Sequence, residues 1–331
     1  MAVFVCRFVE GIGSGLIEPI AQVMAMRSAN KESMTSAVGQ TELGRMLAYT
    51  IGPIIGGALY QFAGFYLPYC ICGALYIMLS VWGCALMRPY VHRDYATMTT
   101  MAGPTTKINK CTVLLKIPAI AAIYVASFLG VAQSGYWEPT LQLYLAEKPY
   151  SLSPTLFGVL NGSCYFGIGV VSLLFLVPLM EKWLGASTTI IGGFLLMSAG
   201  AVIMGLPTLS SHAVSRHLSL VIVGYCILGM GSICAIIVTP SLTKQILNAH
   251  GHDATSPALV SATATAYVFV NLLGWCIGAV VGSAITEAKG LEFTFLVSAM
   301  VCLVVAPVLM LFLLPCAAGE LRNKKKQQEK E

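Results

Sequence analysis

The chain has 331 residues, 57% of them hydrophobic and only 10% charged, where a soluble domain carries about 25% charged residues. Its mean hydropathy is +0.79, more apolar surface than a globular core of this length can bury, so lipid must be the solvent for most of it. A soluble enzyme, a disordered chain and a disulfide-stapled secreted scaffold are excluded. The net charge of +5 is no nucleic-acid signature, because it collects in the connections between apolar runs.

Runs of about 20 apolar residues, enough to cross a bilayer, recur at about 2–25, 37–61, 66–87, 118–145, 155–180, 186–207, 218–246, 258–286 and 293–315. They predict an all-α polytopic membrane protein with nine spans. The first run has no basic leader and carries Arg7, Glu10 and Glu18 within it, so it is not a signal peptide. An ionisable group at mid-bilayer costs at least about 2.5–3.5 kcal/mol and so needs a reason. Arg7 and Glu10 are three apart on one helical face. They either neutralise each other or form a proton or cation relay facing water. Glu18, just before Pro19, has no partner on its own helix and is a candidate cavity residue.

Glu42 and Arg45 in the second run repeat the three-residue spacing, near an end where snorkelling is cheap, and read as a structural ion pair. After the third run comes the long polar connection, 88–117, with Arg88, Arg93, Lys107, Lys110 and Lys116 and the turn Gly103-Pro104. It predicts a linker between a three-helix bundle, 1–87, and a six-helix bundle, 118–316, with a basic tail at 317–331.

The fourth run holds Tyr136-Trp137-Glu138-Pro139-Thr140 with no basic residue nearer than Lys148. A carboxyl there either exchanges protons inside the membrane or sits exposed at a helix end. Pro139 frees a backbone carbonyl and permits a kink. Gln133, Asn161 and Asn271 are neutral polar groups within spans, suited to inter-helix hydrogen bonds or to a ligand. Tyr136, Trp137, Tyr144, Tyr165, Tyr267 and Trp275 offer π-faces to a cation, or else serve packing and interface belts.

Other chemistry is missing. Gly11-x-Gly13-x-Gly15 follows no strand and lies within lipid, and no Walker lysine motif occurs. Nothing resembles a hydrolytic triad. His250-Gly251-His252-Asp253 has no further ligand nearby, and Cys70-x-Cys72 is too close for a metal pair. The eleven cysteines fall mostly inside apolar runs, where they behave as small hydrophobes. No metal, cofactor or nucleic-acid partner is expected, and no enzymatic activity.

With a cytoplasmic C-terminus, alternate connections gather 14 Lys and Arg on one side against three (Lys148, Arg216, Lys289) on the other, which sets the orientation. Nine spans then leave Met1 on the non-cytoplasmic side. An internal repeat bears on this. IGPIIGGALYQFAG at 51–64 matches IGAVVGSAITEAKG at 277–290 through Ile51, Gly52, Gly56, Ala58 and Gly64 against Ile277, Gly278, Gly282, Ala284 and Gly290. Either Gly-rich helices look alike by chance, or spans one to three correspond to spans seven to nine and spans four to six have no counterpart.

Two segments carry a family resemblance. Arg7-Phe8-Val9-Glu10-Gly11-Ile12-Gly13 resembles the fourth-helix motif of proton-coupled major facilitator transporters, with Glu10 in place of a glutamine. Gly52-Pro53-Ile54-Ile55-Gly56-Gly57-Ala58-Leu59-Tyr60 resembles their fifth-helix antiporter motif. Glu138-Pro139-Thr140-Leu141 is similar to the seventh-helix acid of the vesicular amine and polyamine branch. The resemblance implies a major facilitator fold with nine of twelve helices, the equivalents of helices four to twelve, which accounts for the odd count. It also implies a secondary transporter, not an enzyme, that exchanges protons for a small organic cation or polyamine as a monomer in a vesicle, other organelle or plasma membrane. Arg7, Glu10 and Glu138 would serve proton coupling. Gly52, Pro53, Gly56 and Gly57 would form a closely packed hinge, and Glu18, Gln133, Tyr136, Asn161 and Asn271 would line the cavity. The loop at Glu181-Lys182-Trp183-Leu184-Gly185 is only a degraded echo of the family's loop motif, and the tenth and eleventh helices lack the acids of monoamine carriers. The competing expectation is a truncated membrane isoform that moves nothing.

Overall fold

The computed structural model describes residues 2–28, 34–100, 114, 116–147, 150–209, 217–254 and 256–328. Among these every regular element is helical. In lipid this follows from backbone chemistry, since only a helix or a closed barrel satisfies its own N–H and C=O groups there. The helices are α1 (Ala2–Ser28), α2 (Met34–Ala63), α3 (Tyr66–Thr100), α4 (Pro118–Ala146), α5 (Pro154–Trp183), α6 (Ala186–Leu209), α7 (Leu218–Ile236), α8 (Thr239–Ala249), α9 (Pro257–Lys289) and α10 (Leu291–Gln328). Helices α7 and α8 follow one another through a single turn. Proline opens α4, α5 and α9, where its missing N–H has no helical partner to lose.

Eight of the expected spans are helices long and apolar enough to cross a membrane. The exception is α1. Its 27 residues reach about 40 Å, but Arg7, Glu10, Glu18 and Arg27 lower its hydropathy. Two expected loops are also shorter than the composition suggests. α3 continues to Thr100 and α10 to Gln328, so the basic connection and the basic tail both begin as helix. Residues 101–113 of the connection, including Lys107 and Lys110, lie outside the described residues.

Among the described residues the buried apolar core runs from Leu114 to Leu313, with Met46 of α2 the one contribution from earlier in the chain. Backbone contact through glycine holds this bundle together. A Cβ added at Gly274, Gly278 or Gly282 of α9 would stand 2.5, 2.2 and 2.1 Å from the carbonyl oxygens of Phe128, Ala132 and Tyr136 on α4. Helices meet this closely in lipid because van der Waals packing, not water exclusion, drives their association. By contrast, no residue of α3 between Tyr66 and Leu86 is buried.

The sequence repeat has a structural counterpart. Gly64 and Gly290, 226 positions apart, both end their helices with positive φ (70° and 90°). Each donates its N–H to the carbonyl four residues back, Tyr60 and Thr286, at 2.8 Å. Only glycine takes that left-handed capping conformation cheaply. The packing differs between the copies, since a Cβ at Gly52 or Gly56 would meet nothing within 4 Å.

We predict that Gly282→Leu lowers the unfolding midpoint of the detergent-solubilised protein by an amount equivalent to about 1–3 kcal/mol, the usual cost of overpacking. Gly52→Ala leaves the midpoint unchanged. Thermal unfolding read by fluorescence distinguishes the two.

Candidate functional site

A half-open cleft with a cavity volume of about 120 Å³ lies between α1 and α2 on one side and α4, α5, α7 and α9 on the other. Helical spacing explains who faces it. Glu42, Arg45, Met46 and Tyr49 follow one another at intervals of three, one and three along α2, which is one helical face. Ser134 and Glu138 are one turn apart on α4. Tyr267, Asn271 and Trp275 form a four-residue rhythm on α9, and Glu18 enters from α1.

At one end, Arg45 binds two acids. Its Nη1 donates to Glu18 Oε1 at 2.8 Å across the α1–α2 contact, and its Nη2 donates to Glu42 one turn away. The Glu42 side chain is only 2% exposed, so its burial depends on the arginine as a partner. Tyr267, almost fully buried, stands beside this cluster and Asn271. Ser127 donates to Asn271 Oδ1 at 2.7 Å and fixes that amide.

The opposite wall carries Glu138. Among the described residues Arg45 is the sole basic side chain lining the cleft, and it is taken up by Glu18 and Glu42. Glu138 has instead the indole N–H of Trp275 as a hydrogen-bond donor. Next to it the Tyr165 hydroxyl meets Ser134 Oγ at 2.7 Å and Ser232. The Tyr165 ring stands edge-on to Trp137 with centroids 5.0 Å apart. Tyr165 belongs to a π-helical stretch of α5, Asn161–Gly167, and a second such stretch follows at Ser172–Leu176. Such widened turns re-aim side chains and gather at functional sites.

The structure thus brings together Glu18, Glu138 and Asn271 from the residues singled out in the sequence, and adds Glu42 and Arg45, which read there as a structural pair. Gln133, Tyr136 and Asn161 are placed elsewhere. Gln133 is one position from Ser134, about 100° around the helix, and accepts from Ser298 of α10. Tyr136 packs its backbone under Gly282. Asn161 accepts from the Tyr225 hydroxyl at 2.6 Å inside the bundle. Gly57 and Pro53 face α5, where a Cβ at Gly57 would be 2.7 Å from the Pro154 carbonyl oxygen and one at Gly158 2.2 Å from that of Pro53. Glu10 is an exposed residue of α1 outside the cleft, and the Arg7 side chain lies outside the described ones. Tyr165, Tyr267 and Trp275 were among six aromatics that sequence alone left undivided. The four-residue rhythm of Tyr267, Asn271 and Trp275 is a signal in the sequence that could have set two of them apart.

A model of the Major Facilitator Superfamily matches residues 2–252 and 138–331. The chain belongs to the Major Facilitator Superfamily. It is an integral, multi-pass membrane protein of a transporter family, not an enzyme. It is also similar to the MFS-type transporter SLC18B1 of Mus musculus, 24% identical over 190 residues, which are 55% of this chain and 38% of that protein. The rat counterpart, from Rattus norvegicus, is 25% identical over 186 residues, again 38% of its length. The match therefore covers well under half of each relative.

Removing Arg45 leaves two acids facing each other without a counter-charge. We expect Arg45→Ala to destabilise the protein by about 1–3 kcal/mol, the cost of leaving the buried Glu42 carboxylate without its partner. Exchanging all three groups together (Glu18→Gln, Glu42→Gln, Arg45→Gln) recovers most of it. Thermal unfolding in one detergent compares the two variants directly.

Proposed function

We propose that this chain is the greater part of a secondary transporter that exchanges a small organic cation, such as an amine or polyamine, for protons. The observation that carries this reading is Glu138, an acid on the wall of a cleft whose only arginine among the described residues is already engaged by two other acids. A cation entering the cleft finds an uncompensated carboxylate, and the rings of Trp275, Tyr165 and Tyr267 offer it π-faces. A proton and the cation compete for the same carboxylate. Binding of one displaces the other, and that competition is what antiport requires.

Alternating access would come from rocking of the α1–α3 bundle, 1–87, against the 118–316 bundle. The 88–117 connection would be their cytoplasmic linker, and 317–331 a cytoplasmic tail. The close α2–α5 contact at Pro53, Gly57 and Gly158 is a suitable pivot, with Gly52 and Gly56 on the same helix. Arg7 and Glu10 on α1 are the second candidates for handling the proton, a role they take from their likeness to the fourth-helix motif. The excess of Lys and Arg on alternate connections favours a cytoplasmic C-terminus. The working form is a monomer in a vesicle, other organelle or plasma membrane.

In proteoliposomes with an imposed pH gradient, Glu138→Gln should abolish uptake of labelled polyamines and monoamines by the otherwise active protein, while leaving its yield and unfolding midpoint intact. Uptake by the variant at the wild-type rate rejects this assignment of Glu138.

A further inference from the structure

Cys164 and Cys226 lie on α5 and α7 within a close crossing of these helices. One turn before Cys164, Asn161 accepts from the hydroxyl of Tyr225, the residue preceding Cys226. One turn after Cys226, Gly229 lies on the backbone of Tyr165, the residue following Cys164, where a Cβ would stand 2.4 Å from the carbonyl oxygen and 3.1 Å from Cα. The cysteines sit between these two fixed points as close neighbours across the two helices. A disulfide needs Cα atoms about 4.4–6.8 Å apart, a separation that helices in backbone contact provide. Both residues are half-exposed, whereas Cys234 and Cys302 are buried, so a small neutral reagent dissolved in the bilayer can reach them.

We propose that Cys164 and Cys226 form an oxidisable dithiol, which a two-electron oxidant of the peroxide class converts into an intramolecular disulfide tying the π-helical stretch of α5 to α7. One thiol takes an oxygen from hydrogen peroxide, releasing water and becoming a sulfenic acid. The second thiol then attacks that sulfur, forming the S–S bond and expelling a second water. Two S–H bonds are lost, one S–S bond is gained, and the peroxide is reduced to two waters. The bridge lies directly behind Tyr165 and Gly229, both on the cleft wall, and so fixes that wall without touching an acid.

The experiment uses membranes holding the full chain, treated with hydrogen peroxide, blocked with N-ethylmaleimide and digested for mass spectrometry. We expect two fewer alkylated thiols per chain and a 164–226 cross-linked peptide that dithiothreitol dissolves. Cys164→Ser and Cys226→Ser each remove it, and Cys276→Ser does not. Recovery of both cysteines separately alkylated from the oxidised wild-type chain overturns the proposal, as does cross-linking of either to a different cysteine. The wild-type measurement decides the question even if a serine variant fails to accumulate, and it is independent of whether the protein transports anything.

Discussion

The interaction on which the cleft depends is the guanidinium of Arg45 held between Glu18 and Glu42. Charges in a membrane interior are tolerated only when paired or wet, and here one arginine settles two acids from two helices. It thereby links α1 to α2 and uses up the positive charge of the cleft. Glu138 on the facing wall is left to whatever enters. A chain with a second arginine in this cleft would have no such unclaimed acid.

The cleft has its shape because the helices around it differ in how closely they can approach. Glycines on α9 let α4 lie directly against its backbone, which draws Glu138 and Trp275 onto one wall. Glycines 158 and 162 of α5 do the same against Pro53 and Thr50 of α2, and that contact joins the earlier helices to the later bundle. Between them the widened turns of α5 deliver Tyr165 to the cleft and leave Asn161 in the core with Tyr225. Packing by small residues and local widening of one helix are thus two halves of one arrangement. The first sets where backbones touch, and the second sets which side chains can face the space left over.

Much of the fold was legible because lipid imposes a coarse rule: long apolar runs, helical throughout, bounded by polar connections. Apart from α1, a helix too polar to count among the eight spans, that rule misplaced only edges. Residues 88–100 and 317–328 are helical despite their charges, since a helix once begun propagates readily into polar sequence. The site was legible in part. Glu18, Glu138 and Asn271 stood out as polar groups in apolar company, but so did Gln133 and Asn161, whose amide oxygens accept from Ser298 and Tyr225 across helix pairs inside the bundle. Cost in lipid marks a residue as needing a partner. It does not say whether that partner is a neighbouring helix or a ligand.

Hydropathy and charge placement therefore determined from the sequence alone that this is a multi-helix membrane protein, with acids that require an explanation. Those properties are local sums along the chain, so they survive without coordinates. Only the tertiary structure decided that Glu18 of α1 reaches Arg45 rather than a residue of its own helix, that Tyr165 rather than Asn161 faces the cleft, and that Gly282 is covered while its repeat partner Gly56 is open. Each of these turns on which helices become neighbours and on the rotation of each about its own axis, and neither quantity is written in the spacing of residues along one helix.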